Sequence, residues 1–240
     1  TFPKYIIPLT EEAKNHIHKL YKINKEKIIV IEHGIDTKIF KRIEKNSDDV
    51  FTLMYSGAIV ESYDFNIILN AAKRFRHEKI KFIIRGKGLL LSYLNKEKKE
   101  HNLDNIIIDT SLVPLDDLAS TLGKADVFLI PMKKDYFLNL SLPTKILEYQ
   151  AMGRPILCCS DGAPGKYIEK TNSGINTKSG NLEEFVKAVL ELKSNPELCQ
   201  KLGENGIAHI ERNLTFEKIG KRLKLVIDKI LADDKNSQTI

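Results

Sequence analysis

The sequence has 240 residues, a hydrophobic content of 42% and a formal net charge of +6. These values are typical of a globular protein with one large domain, or with one domain and part of another. Basic residues alternate with acidic ones and no apolar run approaches the ~20 residues of a transmembrane helix, so nucleic-acid binding is not favoured and a membrane span is excluded.

Short apolar runs rich in isoleucine, valine and phenylalanine recur along the chain and predict strands. They show little polar alternation, which is typical of strands buried on both faces of a parallel sheet. The predicted strands lie at residues 5–9, 28–31, 51–56, 80–85, 105–109, 126–131 and 155–159. No strand is predicted after about Ile175.

Helical patterns lie between and after these runs. Apolar residues recur with helical spacing over 64–76, which is the clearest example. Further helices are predicted at 11–21, 89–100, 115–122, 143–152, 181–193, 196–210 and 215–232, with one more after the glycine-rich stretch 160–165. Alternating strands and helices predict an α/β fold with a Rossmann-like, doubly wound parallel sheet and extra C-terminal helices.

The three cysteines are Cys158, Cys159 and Cys199. Two of them are adjacent in an apolar run, a spacing that suits no zinc site. We therefore expect buried, reduced thiols and a cytosolic compartment.

The ends of the predicted strands are the places to look for a site, because ligands bind beyond the carboxyl ends of an open parallel sheet. Gly57 follows the strand 51–56, Gly86 and Lys87 follow 80–85, and a loop at 132–142 follows 126–131. There is no GxxxxGK[ST] motif, so a P-loop ATPase is not predicted. There is no GxSxG motif and no metal-ligand constellation either.

The stretch SLPTKILEYQAMGRPI, residues 141–156, predicts a helix that begins at Pro143. Thr144 is a candidate side-chain cap. Lys145 and Glu148 are three residues apart and share one face near the N-terminal end, which attracts phosphate. We interpret the pair as a diphosphate site followed by a carboxylate for sugar hydroxyls. The alternative is an ordinary helix in which Glu148 caps amides or pairs with Lys145.

The order of these segments resembles a known family. LPTKILEYQAMGRPILCC is similar to the P-S-K-x-x-E-Y-M-A-x-G-K-P-V helix of retaining GT-B glycosyltransferases of family 4, or glycosyl transferases group 1. The likeness extends from about Ile6 to Ile230 and is closest to the subgroup that builds surface polysaccharides. Other segments with the same likeness are IIVIEHGIDTKIF (28–40), FTLMYSGAIVESYDFNIILNAAKRF (51–75), KFIIRGKG (81–88), the run 103–132 and TNSGI (171–175).

The resemblance implies two Rossmann-like domains that face a cleft, with the C-terminal half of the GT-B fold in this chain. Residues 35–213 would form the nucleotide-sugar-binding domain, and 1–34 would be a remnant of the acceptor domain and its linker. Residues 214–232 would form a helix that crosses back towards the acceptor domain, and 233–240 a disordered tail. The chain begins at Thr1 and not at methionine, so we expect a fragment of a longer protein. The resemblance implies that most of the acceptor domain lies outside it.

Site residues follow from the resemblance position by position. Glu148 matches the carboxylate that binds the ribose hydroxyls, and Lys145 is the candidate catalytic residue beside the diphosphate. The remaining nucleotide-sugar-binding positions, from the helix tip, the phosphate loop and the nucleobase pocket, are Pro143, Thr144, Gly57, Ala58, Gly86, Lys87, Leu112 and Val113. The resemblance implies neither a cofactor nor a metal.

This sequence departs from the family pattern at several positions. Leu140 stands where many members have a second glutamate that touches the donor sugar. Ala58 and Tyr63 stand where many members have an arginine and a lysine that bind the diphosphate. Lys166 replaces an acidic residue after a glycine-rich stretch. Lys145, or else Lys166 or Lys87, could supply the missing positive charge.

The activity implied is transfer of a sugar from a nucleoside diphosphate sugar to an acceptor hydroxyl with retention, in surface polysaccharide or glycoconjugate synthesis. The acceptor, a glycan or lipid-linked glycan, would be bound by the missing domain, so this chain alone should catalyse little. We expect a cytoplasmic protein, at the inner face of the membrane if the full-length chain associates peripherally. Alternatives are a non-catalytic GT-B relic, a UDP-sugar 2-epimerase-like isomerase and a nucleic-acid-binding protein.

Overall fold

The computed structural model describes residues 3–45, 49–135 and 140–237. Within these ranges six strands form one sheet in the order β3-β2-β1-β4-β5-β6, with every pair parallel. The strands are β1 (Phe51–Ser56), β2 (Ile80–Arg85), β3 (Ile106–Asp109), β4 (Val127–Pro131), β5 (Ile156–Cys159) and β6 (Gly174–Thr177). The strand order reverses between β1 and β4, so the crevice of this sheet lies at their carboxyl ends. The predicted Rossmann-like doubly wound sheet is confirmed.

Helices follow the strands in the predicted order. They are α1 (Glu11–Tyr21), α2 (Phe65–Arg74), α3 (Leu91–Glu100), α4 (Leu115–Leu122), α5 (Lys145–Ala151), α6 (Ala163–Thr171), α7 (Leu182–Ser194), α8 (Pro196–Asn213) and α9 (Phe216–Ser237). A single 3₁₀ turn, Lys25–Lys27, lies between α1 and β1. The C-terminal helices predicted after the last strand are therefore present.

The hydrophobic core has two halves, one on each face of the sheet. In β1, Leu53 and Tyr55 belong to the half that contains α2 and α7, while Met54 belongs to the half that contains α5. Each large apolar side chain buried in this way stabilises the fold by about 1.5–3 kcal/mol. Burial on both faces explains why the strand sequences are continuously apolar.

The predicted strands at 5–9 and 28–31 are not part of the sheet. They pair with each other through one isolated parallel bridge, Ile6 with Ile28. The amide of Ile31 donates to the carbonyl oxygen of Pro8 at 3.1 Å. Pro8 has no N–H to donate in return, so the pairing does not develop into a ladder.

The sequence patterns missed one strand, β6, which includes Ile175 and forms the edge of the sheet; in the described part of the chain no strand begins after it. Its sequence GINT is short and partly polar, so it carries no apolar signal. A Cβ on Gly174 would lie 1.9 Å from the carbonyl oxygen of Ile156, so glycine is needed for this strand to reach β5. The helix predicted after the glycine-rich stretch 160–165 is present but begins earlier than predicted. It is α6, which begins at Ala163, inside that stretch.

The last helix is longer than predicted and packs along the N-terminal segment, residues 3–34. Arg222 lies 3.2 Å from Glu32, and the Tyr5 hydroxyl donates to the Asp233 carboxylate. The predicted disordered tail at 233–240 is therefore wrong as far as Ser237, and residues 238–240 lie outside the described part of the chain. The division into domains remains a prediction.

The cysteines have no disulfide partner among the described residues. Cys158 and Cys159 are buried as predicted, and Cys199 is partly exposed. Burial raises the pKa of the Cys199 thiol to about 11. In the described ranges, no helix has both the length and the apolar character needed to cross a membrane.

Candidate functional site

Two glycine loops meet at the carboxyl ends of β1 and β2. Gly57 and Gly86 have φ angles of +146° and +141°, which L side chains rarely adopt. The Gly57 amide donates to the carbonyl oxygen of Arg85 at 2.9 Å. A Cβ on Gly86 would lie 1.8 Å from the Gly57 carbonyl oxygen. The two loops are therefore in direct contact, and neither has room for a side chain at its glycine.

Helix α5 brings the predicted pair to the same edge, but it is shorter than expected. It begins at Lys145 and not at Pro143, and the side chain of Thr144 makes no capping hydrogen bond. The carbonyl oxygens of Pro143 and Thr144 accept from the amides of Ile146 and Leu147. Thr144 itself is exposed. Pro143 and Thr144 therefore form the turn that leads into α5 instead of its first residues.

The ammonium group of Lys145 points from α5 back to the Gly57 loop. A Cβ on Gly57 would lie 2.3 Å from Lys145 Nζ, so glycine at this position is what admits the lysine. Nζ donates to the Tyr55 hydroxyl at 2.7 Å and lies 4.0 Å and 4.1 Å from the ring centroids of Tyr55 and Tyr63. Burial lowers the pKa of Lys145 to about 7, while Glu148 acts in the opposite direction.

The two tyrosines that enclose Lys145 also hold the glycine loop. Tyr55 and Tyr63 pack edge to face with ring centroids 5.1 Å apart. The Tyr55 hydroxyl donates to the carbonyl oxygen of Ala58 at 2.5 Å. Burial raises the pKa of both phenols, so they remain neutral hydrogen-bonding groups. Tyr63, which the resemblance matches to a family lysine, contacts Lys145 of α5.

Glu148 lies one turn along α5 from Lys145 and is only partly exposed. Burial raises the pKa of its carboxyl group, and the charge of Lys145 opposes this effect. Within the described ranges, its carboxylate makes neither a hydrogen bond nor a salt bridge. The alternative of an amide-capping or salt-bridged Glu148 is therefore absent from this structure, and the carboxylate oxygens are available to an external donor.

Helix α5 is fixed against the sheet by its buried face. The Tyr149 hydroxyl donates to the carbonyl oxygen of Ser56 at 3.0 Å and accepts from the Ser56 amide at 2.8 Å. The Tyr149 ring stacks on Phe128 with centroids 4.0 Å apart. Gln150, which is fully buried, donates to Ser173 at 2.8 Å. These contacts place Lys145 and Glu148 at the end of β1.

The other predicted positions gather in a pocket between the ends of β2 and β3. We call it the Arg85 pocket, and its volume is about 290 Å³. Gly86, Leu112 and Val113, the residues predicted for the nucleobase, all line it, as does Lys87, a further predicted nucleotide-sugar-binding residue. The full lining is Arg85, Gly86, Lys87, Thr110, Ser111, Leu112, Val113, Leu115 and Leu118.

Two of the family departures are engaged with the N-terminal segment. The carbonyl oxygen of Leu140 accepts from the Thr10 hydroxyl at 2.7 Å. The ammonium group of Lys166 lies 3.7 Å from the Glu12 carboxylate. Lys166 is therefore already paired, and Lys145 is the lysine that the structure brings to the Gly57 loop. Residues 136–139 of the loop 132–142 lie outside the described ranges.

Sequence reasoning missed Tyr55, Tyr149 and Arg85. In the sequence, Tyr55 is one more apolar strand residue and Tyr149 one more apolar helix residue, and nothing distinguishes them. Arg85 did carry a signal, because it is a charged residue at the carboxyl end of the largely apolar strand IKFIIR, directly before Gly86. Charge at the end of a buried strand is a feature that sequence reasoning can use.

In the part of the chain that the structure describes, no three histidine, cysteine, aspartate or glutamate side chains converge as metal ligands. The side chains gathered at the Gly57 loop are instead Lys145, Tyr55 and Tyr63, with Glu148 one turn further along α5. This chemistry is suited to phosphate oxygens and hydroxyl groups.

The parallel sheet, the glycine loops at its switch point and the helix that carries Lys145 and Glu148 define a Rossmann-like α/β domain of the kind found in GT-B glycosyltransferases. Residues 36–209 match the Glycosyl transferases group 1 family, and the chain belongs to that family.

Among curated relatives, the chain is similar to chitobiosyldiphosphodolichol beta-mannosyltransferase of Debaryomyces hansenii, with 27% identity. The alignment covers 95% of this chain and 55% of the yeast enzyme, so the chain spans about half the length of that relative.

Two solved structures share the fold. A glycosyltransferase from Rickettsia africae superposes with a TM-score of 0.82 at 17% identity, covering 95% of this chain and 64% of the other. HepE from Anabaena, in a complex with UDP, gives a TM-score of 0.81 at 13% identity, with 95% and 64% coverage. At these identities the likeness shows the fold alone.

Proposed function

We propose that this chain is the donor-binding part of a family 4 glycosyltransferase that moves a sugar from a nucleoside diphosphate sugar to an acceptor hydroxyl with retention. One observation carries the proposal: Lys145 Nζ reaches the Gly57 loop from α5, while Glu148 stands one turn away without a partner in the described ranges. The yeast relative is named a mannosyltransferase, and the HepE structure contains UDP, which supports a nucleotide-sugar donor.

Lys145 is the proposed catalytic residue, and its target is the diphosphate. Negative charge develops on the diphosphate as the glycosidic bond breaks, and a fixed cation stabilises that charge. Gly57 admits the ammonium group of Lys145 to the end of β1, where that group can meet phosphate oxygens. Lys145 then replaces the arginine and lysine of other family members, whose positions are held here by Ala58 and Tyr63.

Glu148 is the proposed ligand of the ribose. A carboxylate accepts strong hydrogen bonds from hydroxyl donors, and this one has no internal donor in the described ranges. Its distance of one turn from Lys145 matches the order of diphosphate and ribose in the ligand. Because Glu148, the carboxylate that faces Lys145 in the described ranges, is assigned to the ribose, we propose that retention comes from a front-face reaction assisted by the leaving group.

The acceptor, the location and the pathway are further parts of the proposal. We propose a glycan or lipid-linked glycan acceptor bound by a second domain, a role in surface polysaccharide or glycoconjugate synthesis, and a cytoplasmic protein that can associate peripherally with the membrane. The relatives are named as glycosyltransferases. These names support the transferase proposal over both the isomerase and the non-catalytic alternative.

Calorimetric titration of this chain with UDP, GDP and ADP tests the proposal. We expect at least one diphosphate to bind, and Glu148→Ala to weaken it by about tenfold or more because a charge-assisted hydrogen bond is lost. Glu191→Ala, at an exposed position of α7, is the matched control and should leave the affinity unchanged. Absence of binding at millimolar ligand, or equal affinities for Glu148→Ala and the wild type, would overturn the proposal.

A further inference from the structure

Arg85 is a buried cation in the wall of the Arg85 pocket. It is the last residue of β2 and is 8% exposed. Asp109, its neighbour at the end of β3, lies across the ladder with Oδ2 3.4 Å from Arg85 Nε. Although partial burial raises the pKa of Asp109, hydrogen bonds from Ser111 and the charge of Arg85 lower it overall. The pair therefore stays charged under the pocket.

Most of the hydrogen-bonding capacity of Arg85 is unused. A guanidinium has five N–H donors. In the described part of the chain one hydrogen bond is made, from Nη2 to the carbonyl oxygen of Ser111 at 3.1 Å. Nε is buried and makes no hydrogen bond there, but it faces Asp109 Oδ2 at 3.4 Å, so the donors open to a ligand are the remaining N–H groups of the two Nη atoms. Unmet donors in a buried group are unfavourable, so the site is suited to a ligand that brings an acceptor.

The pocket walls favour a flat apolar ring beside these donors. Leu112 and Leu115 are 83% and 55% exposed, which is unusual for leucine side chains that line a pocket. Gly86 lines the same pocket and contributes only backbone. A planar ring in this pocket would bury apolar area on its own faces and on the leucines. Its edge then meets the polar side of the pocket, which includes Arg85.

We infer that Arg85 selects the nucleobase, in favour of a base that presents a carbonyl oxygen and against one that presents an amino group. Uracil has O4 and guanine O6 where cytosine and adenine have an exocyclic amino group. An arginine can donate to a carbonyl oxygen, whereas two donors facing each other repel. The inference rests on the proposed function and adds a specificity-determining residue to it.

Lys87 lines the same pocket but acts differently. It is exposed, so its ammonium group is hydrated and free to move. A mobile point charge attracts any anion and carries no information about the base edge. Arg85 is fixed by Ser111 and Asp109, so its remaining donors have fixed directions.

The first test compares UDP, GDP, CDP and ADP by calorimetry on the wild-type chain. We expect the preferred partner, UDP or GDP, to bind about 10- to 100-fold more tightly than ADP and CDP. The UDP and GDP arms separate a pyrimidine pocket from a purine pocket. Equal affinities for all four would overturn the inference and leave the proposed function intact, whereas absence of binding by any would overturn both.

The second test uses Arg85→Gln. A glutamine offers one donor and one acceptor, the pattern that pairs with adenine. We expect the affinity of the variant for the preferred nucleoside diphosphate to fall by about tenfold or more. The variant should bind ADP at least as well as the wild type does. Inorganic diphosphate should bind both proteins equally, because it has no base.

Lys87→Gln is the matched control, because it removes a positive charge from the same pocket without removing the buried donors. This variant should weaken the binding of all four nucleoside diphosphates to the same extent, so that the ratios between their affinities stay unchanged. Arg85→Lys, which retains the charge and loses the planar fork, covers the case in which the glutamine variant does not fold. Unchanged base ratios in a folded Arg85 variant would contradict the inference.

Discussion

The candidate site has a buried basic side chain at each of its two ends, Lys145 and Arg85, and the two differ in how firmly they keep their charge. Lys145 is enclosed by Tyr55 and Tyr63, and burial lowers its pKa to about 7, so it can lose its proton. Arg85 is also buried, but arginine keeps its charge in proteins. It is stabilised instead by Asp109 and by the carbonyl oxygen of Ser111.

Under the proposed function, this difference suits the two ends to distinct parts of the ligand. The protonation of Lys145 would respond to the charge of a diphosphate. The fixed charge and unused donors of Arg85 would respond to the position of acceptors on a base edge. The glycine loops connect the two ends, because Gly57 lies beside Lys145 and Gly86 lies beside Arg85.

The largest effect should come from Gly86→Ala, which disturbs both ends at once. The new Cβ would lie 1.8 Å from the Gly57 carbonyl oxygen, and the φ of +141° is strained for alanine. We expect the free energy of unfolding to fall by about 2–4 kcal/mol, from backbone strain and overpacking together. Urea unfolding measures this loss, and titration should show that diphosphate binding disappears.

Gly220→Ala is the control for the glycine change. Gly220 lies in α9, and a Cβ added there would have no other atom within 4 Å. Alanine at this position should stabilise the protein by up to about 1 kcal/mol through helix propensity. A Gly86→Ala variant as stable as the wild type would show that the two loops can move apart.

A smaller effect concerns the Lys145 end alone, through pH. The folded-state pKa of about 7 lies below the ordinary value of 10.5, so the unfolded chain binds more protons between these values. For this group, stability therefore rises with pH across that window. Diphosphate favours the charged ammonium, so binding above pH 7 must take up a proton. We expect diphosphate affinity to fall by up to about tenfold per pH unit between pH 7 and 9.

Titration of UDP and GDP at several pH values measures this slope, and Lys145→Met should remove it. The groups that face Lys145 are Glu148, Tyr55 and Tyr63, and both phenols have raised pKa values that keep them neutral in this range. The charge of Arg85 should not change with pH in this range. Binding of the nucleoside, whose base is assigned to the Arg85 pocket, should therefore not change with pH. An equal slope in Lys145→Met would assign the titration to another group.

The sequence was sufficient for the sheet and for part of the site. Apolar runs identify β1 to β5 because burial on both faces requires them, and Lys145, Glu148, Gly57 and Gly86 stand out by residue type and position. β6 has no such run, since an edge strand of four residues, GINT, carries little apolar signal.

Contacts made across the fold were out of reach of the sequence. The enclosure of Lys145 by Tyr55 and Tyr63 depends on the packing of α5 against β1, which the Tyr149 hydroxyl and Ser56 determine. The sequence pattern also overestimates the length of α5, because Pro143 is compatible with a first helical turn and equally with the turn before it.

The smallest effect is expected for Leu112→Ser at the Arg85 end. Leu112 is 83% exposed, so the free energy of unfolding should change by no more than about 0.5 kcal/mol. If Leu112 covers a base, however, its loss removes apolar contact and should weaken nucleoside binding by about two- to fivefold. Leu225→Ser, at a 69% exposed position of α9, is the control and should change neither quantity. Weakened inorganic diphosphate binding in Leu112→Ser would contradict the separation of the two ends, because a leucine in the Arg85 pocket has no reason to affect the charge at Lys145.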